Sequence, residues 1–332
     1  MIIGNESDIG ASLSDIWRAW YKFKQGKKKN RELDTFSYSL ESNLSKLHQE
    51  LLTHSYQHGS YRTFSLTDTK RRVISVATIR DRVVHRLIYD YLVSIIDKRF
   101  IFDVWSCRKD KGLLGAIERT QKLLASNRHA YIWRSDVTKF FDSVNHDVLK
   151  SCVRRRVGNV NDLKLIDNVI DSFTSDAPGK GIPIGNLTSQ IFCNIYLHEL
   201  DHYINHTIRP KGYLRYGDDF IVIVEKRDEL EEIKKEVTKF IEQTLKLTLN
   251  KKNNILISVK RGIHFLGCDI YPTGRRLRKK MYLRIDSRLN LINCASYRSL
   301  ILTHTKKKSS NSISNKVKWI DWKIADTITQ IQ

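Results

Sequence analysis

The chain has 332 residues, enough for a sizeable core in more than one lobe. Its 58 Lys and Arg outnumber 36 Asp and Glu, giving a net charge of +22 spread along the chain, and it contains 14 Tyr, 12 Phe and 6 Trp. This composition predicts a polyanionic partner whose bases could stack on aromatic side chains. The absence of a long apolar run or a leader pattern argues against a membrane protein and favours the cytosol, and five scattered cysteines argue against a disulfide framework or a zinc site.

The first quarter of the chain predicts two helices and a basic hairpin. Apolar periodicity favours helices over 11–26 and 36–54, and β alternation favours strands over 61–66 and 73–77. Lys70 and Arg72 lie in the connecting turn, two residues apart, so on an extended chain they face the same side. A basic hairpin tip can hold a triphosphate, and an ordinary solvated turn is the alternative.

A cationic loop follows the next predicted helix, 79–99. Arg108, Lys109 and Lys111 precede a helix predicted from 113 to 126. Cations beside a helix N-terminus favour phosphate binding.

A buried strand then runs into Asp136. Helices are predicted over 145–156 and 161–176, and a Pro/Gly-rich loop, 177–185, leads into a long apolar helix, 187–206. An aspartate at the end of a buried strand is unusual unless it is paired or binds a metal.

Residues 213–224 predict a hairpin whose tip carries Asp218 and Asp219. Gly217 permits a tight turn, and apolar residues fill both arms. Adjacent strand residues point to opposite faces, so we expect one aspartate, Asp218, to be the main ligand of a metal. A solvated turn is the alternative.

The remaining chain predicts a helix at 227–245, strands at 255–259 and 263–270, a basic run, and helices at 286–304 and 315–330. This order is that of a small antiparallel sheet backed by helices, with Asp136 and the acidic hairpin on one face. Such carboxylates suit two-metal phosphoryl transfer.

Four motifs together resemble those of reverse transcriptases: Ser135-Asp136-Val-Thr-Lys-Phe-Phe141, Arg215-Tyr-Gly-Asp218-Asp219, Lys70-x-Arg72 with Asp81-Arg-Val-Val, and Phe265-Leu266-Gly267. The resemblance implies an α/β (α+β) right-hand polymerase fold with a ferredoxin-like antiparallel palm, helical fingers and a short helical thumb. It places the fingers at 1–128 with 157–186 returning to them, the palm at 129–272 and a basic thumb at 273–332.

The resemblance also implies roles for individual residues. Two Mg²⁺ ions, replaceable by Mn²⁺, would be held by Asp136, Val137, Asp218 and Asp219, of which the three aspartates are catalytic. Nucleotide contacts would come from Lys70, Arg72, Phe141, Ile184, Gly185 and Gln190, with Phe141 as a gate against the ribose 2′-hydroxyl. Lys251 or Lys252 would protonate pyrophosphate, and Phe265, Leu266 and Gly267 would hold the primer. Further contacts to nucleic acid are expected at Arg108, Lys109, Lys111, Arg275, Arg276 and Arg278.

Within this superfamily, Ile184-Gly185-Asn-Leu-Thr-Ser189-Gln190, Asp15-Ile-Trp-Arg-Ala-Trp and Ala295-Ser-Tyr-Arg-Ser-Leu resemble the reverse transcriptases of diversity-generating retroelements. That likeness implies error-prone copying of a template RNA, with errors opposite adenine. It implies as partners the template RNA, a DNA or RNA primer, dNTPs and a small basic accessory protein oligomer.

Three alternatives remain open at this stage. A retron or phage-defence reverse transcriptase would share the chemistry and differ in its partner RNA. An RNA-dependent RNA polymerase is disfavoured by the bulky Phe141, and a non-catalytic RNA-binding scaffold is disfavoured by the three intact aspartates.

Overall fold

The computed structural model describes residues 9–67, 71–305 and 315–329. Its helices are α1 (Leu13–Lys24), α2 (Arg31–Tyr38), α3 (Leu40–Leu52), α4 (Ile79–Ile96), α5 (Leu113–Ser126), α6 (Phe140–Ser143), α7 (His146–Arg154), α8 (Val160–Asp171), α9 (Leu187–Tyr203), α10 (Arg227–Gln243), α11 (Lys279–Arg288), α12 (Cys294–Thr305) and α13 (Asn315–Thr329). Its strands are β1 (Arg62–Thr67), β2 (Arg71–Val76), β3 (Tyr131–Ser135), β4 (Gly212–Tyr216), β5 (Asp219–Val224), β6 (Ile255–Ser258), β7 (Ile263–Phe265), β8 (Cys268–Tyr271) and β9 (Gly274–Leu277). The predicted α/β class with antiparallel strands is confirmed.

The central sheet contains four strands in the order β4, β5, β3, β6, and each neighbouring pair is antiparallel. β4 and β5 form the predicted hairpin. Because strand side chains alternate between faces, Trp133 of β3 enters one core cluster and Ile132 enters the other. The strand that leads into Asp136 therefore lies inside the sheet, beside the strand that begins at Asp219.

Each face of this sheet is covered by a separate core. The face of Trp133 packs with helices that include α4, α9 and α10, and α9 is buried along its length, as its apolar sequence predicts. The opposite face packs with α5, the three-stranded sheet β7–β8–β9, and α11 to α13. Among the described residues, no helix is both long enough and apolar enough to cross a bilayer.

The β1–β2 hairpin forms an arm with exposed apolar side chains at Phe64, Leu66 and Val73. Its base is fixed to the loop before α9, where Ser75 N donates to Ile184 O at 3.0 Å and the Asn186 side chain donates to Ser75 O at 2.9 Å. The arm is therefore positioned next to the start of the long buried helix.

Two of the predicted helices are each divided into two in the structure. The helix predicted over 36–54 is divided at Ser39, and α2 starts earlier because the side chain of Asn30 caps it, accepting from Leu33 N at 3.0 Å. The helix predicted over 286–304 is divided between α11 and α12. Asn290 causes this break, since its side chain accepts from Ile292 N and Asn293 N in a local turn.

The strands near the C-terminus also differ from prediction. The strand predicted over 263–270 is a hairpin, β7–β8, with Leu266 and Gly267 in its turn. The first residues of the basic run that begins at Arg275 form strand β9, where Leu277 is buried. The sequence pattern did not separate β7 from β8 because these strands are only three and four residues long.

Candidate active site

The acidic residues meet at one edge of the central sheet. Ser135 pairs with Phe220, so the next position along the two strands places Asp136 beside Asp219. Alternation puts Arg134, Asp136 and Asp219 on the face whose interior positions are apolar, such as Ile132. Charged groups thus replace the apolar side chains where the strands end.

Asp136 is half-buried, and two asparagines donate hydrogen bonds to it. Its backbone carbonyl accepts from Asn250 N at 2.9 Å, and its Oδ2 accepts from Asn253 Nδ2 at 2.8 Å. The other oxygen, Oδ1, is buried and lacks a hydrogen-bond partner within the described part of the chain. A buried carboxylate oxygen without a partner is costly unless a ligand completes it.

Asp218 occupies the two-residue turn between β4 and β5. Gly217, the first residue of the turn, has φ +66°, a left-handed conformation that glycine adopts without strain. Burial raises the pKa of Asp218 to about 6, and repulsion from the Asp136 and Asp219 carboxylates adds to the rise while Arg215 opposes it. The negative charges of Asp218 and Asp136 are therefore close enough to repel each other.

Asp219 is bound within the protein. Arg134 donates from Nε to Oδ1 at 2.9 Å and from Nη2 to Oδ2 at 2.6 Å, a two-point ion pair. Burial raises the pKa of Asp219, and the adjacent guanidinium counteracts that rise. The two aspartates are thus unequal, and among the described residues Asp218 has no such ion pair.

A divalent cation fits this edge best when a substrate phosphate supplies further ligands. In residues 9–67, 71–305 and 315–329, no three acidic, histidine or cysteine side chains converge closely enough to hold a metal by themselves. Magnesium is commonly held by one or two carboxylates together with substrate phosphates, and Asp136 and Asp218 supply that number. The backbone carbonyl of Val137 is a further oxygen donor. The hydrogen bonds that join this segment to residues 248–250 use Asp136 O and Thr138 N, not Val137 O. The donor set is therefore suited to a hard cation bound together with a phosphate.

Binding of Mn²⁺ to the protein should weaken as the pH falls through about 6. A carboxylate binds a cation only when deprotonated, and the raised pKa of Asp218 means that it is largely protonated below that value. We expect the affinity, measured by calorimetry, to fall about tenfold for each pH unit below the pKa. Asp218→Asn should bind weakly and without this pH dependence, whereas an affinity that stays constant in the wild type would contradict the prediction.

Sequence reasoning missed the ion pair beneath the acidic turn. Arg215 and Asp201 are both fully buried and bonded at two points, at 2.7 and 2.6 Å. Arg215 also donates to Gly217 O at 2.8 Å, and Gly217 N donates to the hydroxyl of Ser106 at 2.9 Å. Both backbone groups of Gly217 are thus fixed. The available signal was Asp201, one of two acids on a long helix that is mostly buried.

Four of the six residues predicted to contact a nucleotide lie on segments joined by backbone contacts. Phe141 O accepts from Ile182 N at 2.8 Å, and Ile184 O accepts from Ser75 N of the arm. Gly185 has φ +112°, and a Cβ there would lie 2.8 Å from Ile74 Cγ2, so the arm approaches the loop closely. Arg72 shares the face of β2 with Ile74.

The two remaining predicted nucleotide contacts differ in how they can be placed. Gln190 is exposed on the first turn of α9. Lys70 lies outside the described residues.

The turn predicted to hold a primer joins β7 to β8. Leu266 has φ +50° and Gly267 has φ +82°. The left-handed conformation costs a non-glycine residue about 1–2 kcal/mol. The side chain of Leu266 packs on the core beneath, which offsets this strain.

The predicted cations differ in how far they are engaged by other residues. Arg108 is engaged inside the fold by Asp97 and backbone carbonyls, and Arg275 is engaged by Glu118, Gln121 and Thr303 O, so their positions are explained without a nucleic acid. Lys111 is partly engaged, since it donates to Phe102 O and lies over the Phe102 and Trp105 rings. The others are exposed: Lys109, Lys251, Lys252, Arg276 and Arg278. Of these, Arg276 also pairs with Asp269 at 3.3 Å, and Arg278 Nη1 lies 3.0 Å from His264 Nε2.

Comparison with known proteins relates the chain to a protein family. Residues 61–270 match the family model described as reverse transcriptase (RNA-dependent DNA polymerase). The chain is 27% identical over 267 residues to protein YkfC of Escherichia coli (strain K12), a match that covers 68% of this chain and 70% of YkfC. It is 19% identical over 307 residues to group II intron-encoded protein LtrA of Lactococcus lactis subsp. cremoris, covering 71% of this chain but 51% of LtrA.

The fold is also found in a solved structure. Apo telomerase from Candida tropicalis has a TM-score of 0.52 and 13% identity, with 78% of this chain and 57% of that chain covered. At such low identity this likeness shows the fold alone. The family match, by contrast, extends over more than half of the chain and includes the acidic edge, and it shows that the protein belongs to the reverse transcriptase family of RNA-dependent DNA polymerases.

Proposed function

We propose that this site copies an RNA template into DNA by nucleotidyl transfer. The observation that carries the proposal is that Asp136, at the end of β3, and Asp218, in the turn before the neighbouring strand β5, lie close enough for their charges to repel, with one buried Asp136 oxygen left for a ligand. In the reaction, the primer 3′-oxygen bonds to the α-phosphorus of a dNTP, the bond from that phosphorus to the bridging oxygen breaks, and pyrophosphate leaves.

Reverse transcriptases typically use Mg²⁺, which would neutralise phosphate charge and lower the pKa of the 3′-hydroxyl. Asp136, Asp218 and the Val137 carbonyl would hold it here, with Mn²⁺ as a substitute. Arg72, with Lys70, would bind the triphosphate, and Phe141 would contact the sugar and exclude a 2′-hydroxyl. Gly185 and Gln190 would line the same nucleotide site.

The proton for the leaving pyrophosphate would come from Lys251 or Lys252. Asn250 and Asn253, which flank both lysines, bond to Asp136 at the end of β3, and this supports assigning the proton donor to one of them. The exposed cations Lys109, Arg276 and Arg278 would contact the nucleic-acid backbone.

We assign the lobes as the sequence suggests: fingers at 1–128 and 157–186, palm at 129–272 and thumb at 273–332. The packing supports tight coupling between these lobes. Helix α5 packs on β4 and β8, and β9 of the thumb pairs with β8 of the palm. The primer-holding turn, 265–267, therefore lies where palm and thumb are joined.

We further propose that the copying is error-prone, as in a diversity-generating retroelement, with a small basic accessory protein as partner and the cytoplasm of a bacterial cell as its location. Ile184 supports this proposal. Its carbonyl is fixed to the arm, but its aliphatic side chain offers no hydrogen bond to a nascent base pair. Discrimination between correct and incorrect nucleotides at this position then depends on shape alone, and shape discriminates weakly between similar molecules.

Ile184→Gln should lower misincorporation opposite template adenine by up to about tenfold, because one added hydrogen bond is worth about 1 kcal/mol. Sequencing of the DNA products measures this. Val160→Gln, the same kind of change at an exposed position on α8, serves as the matched control and should leave the error spectrum as in the wild type. An unchanged spectrum in Ile184→Gln would remove the explanation.

A second candidate is an accurate retron-type or intron-type reverse transcriptase, favoured by the similarity to group II intron-encoded protein LtrA. It predicts the same DNA synthesis with few errors opposite adenine in the wild type. The same sequencing experiment therefore separates the two candidates.

A further inference from the structure

We propose that Arg134 is a positioning residue that holds the primer-holding turn in register with the acidic edge. It lies on β3, two residues before Asp136, and is only 8% exposed. The inference rests on the proposed function, because it gives a role to the turn assigned to the primer.

The guanidinium of Arg134 joins two sheets. On the central sheet, Nε and Nη2 bind both oxygens of Asp219, which lies on the neighbouring strand within reach of a long side chain. On the second sheet, Nη1 donates to the backbone carbonyl of His264, and the guanidinium lies 5.5 Å from the centre of the Phe265 ring. One planar group thus contacts the acidic turn and the residues that open the β7–β8 turn.

The hairpin side of this contact is itself ordered. His264 Nδ1 lies 3.0 Å from Cys268 O, across the turn, and its Nε2 lies 3.0 Å from Arg278 Nη1. Asp269, next along β8, pairs with Arg276 at 3.3 Å. These contacts make the β7–β8 hairpin rigid. A shift of the Arg134 guanidinium would therefore move the whole hairpin relative to Asp136 and Asp218.

This geometry gives Asp219 a different task from Asp218. Asp219 anchors Arg134, so its loss should release the hairpin and weaken the grip on the template–primer duplex. Asp218 has no such link, so its loss should affect the chemical step. Arginine is needed because its planar fork can serve Asp219 and His264 O together, which a lysine cannot do.

The test uses the full-length protein, a fluorescent RNA–DNA template–primer, and steady-state extension with Mg²⁺. Arg134→Gln should raise both the Kd and the KM for the template–primer about tenfold, as expected when a buried bond to a charged group is lost, with the KM for dNTP unchanged. Arg134→Lys should recover part of that loss, and Asp219→Asn should resemble Arg134→Gln.

Arg156→Gln is the matched control. Arg156 is equally buried, with 10% side-chain exposure against 9% for Arg134, and it pairs with Glu199 away from the hairpin. The Arg156→Gln variant should lose about as much thermal stability as Arg134→Gln, but its affinity for the duplex should equal that of the wild type. In addition, Phe265→Leu and Arg134→Gln should be non-additive, because both act through one contact.

Two results would overturn the inference: a duplex affinity in Arg134→Gln equal to that of the wild type, or an equal loss in Arg156→Gln, which would indicate a purely structural role. If the wild type itself neither binds nor extends the duplex, the proposed function fails, and the inference fails with it.

Discussion

Asp218→Asn should abolish templated DNA synthesis, with a loss of at least about 10³-fold in kcat, because cation stabilisation of the transferring phosphate is worth several kcal/mol. Asp136→Asn should be equally severe. Asp219→Asn should keep a larger share of kcat, since Arg134 already occupies that carboxylate. Single-turnover extension of a bound primer measures the chemical step directly.

The control for these substitutions is Asp228→Asn on the exposed surface of α10. It makes the same chemical change and should leave kcat unaltered. A folded Asp218→Asn protein with near wild-type kcat would show that this carboxylate is not part of the catalytic site.

Arg215→Met should destabilise the protein by about 3–5 kcal/mol, because it leaves the Asp201 carboxylate buried without its counter-charge. Asp201 would retain the hydroxyl of Tyr213, at 2.7 Å, as a donor. The loss is read from the midpoint of urea unfolding. Replacing both partners, Arg215→Met with Asp201→Leu, should regain part of the stability, since no unpaired charge then remains in the core.

Arg227→Met provides the comparison for a surface ion pair. Arg227 and Glu231 are 65% and 49% exposed, and such a pair contributes no more than about 0.5 kcal/mol. Equal unfolding midpoints for Arg215→Met and Arg227→Met would contradict the assignment of the buried pair as a support of the acidic turn.

Much of the acidic edge could be predicted because its signals are local. The apolar strand that ends at Asp136 and the hairpin around Gly217 depend on alternation and turn chemistry within a few residues. The meeting of the two segments followed from the order of the elements together with the family resemblance. The structure shows them as neighbouring strands.

The supporting contacts could not be predicted, because they join residues far apart in the chain. Arg134 reaches Asp219 diagonally across two strands, and Asn253 reaches Asp136 from a separate turn. Neither pair has a fixed spacing that a sequence pattern could reveal. Charge within an apolar element is the one general signal, and it marks Arg134 on β3 as it marks Asp201 on α9.

The surroundings of the cations were harder to predict than those of the acids for a related reason. The sequence pattern of a basic loop is the same whether its side chains face solvent or turn into the protein. Arg108 turns inward, with its Nε 2.8 Å from Asp97 Oδ1, whereas Lys109 beside it is exposed. Long flexible side chains choose partners through tertiary packing, which a sequence pattern does not encode.

The central claim is tested most directly by primer extension on an RNA template with the full-length protein, Mg²⁺, and each dNTP omitted in turn. RNA-templated DNA synthesis predicts extension that stops before the template base complementary to the omitted dNTP, and that disappears in Asp218→Asn. Extension that ignores the template, a preference for ribonucleotides, or no extension by folded protein with bound metal would contradict it.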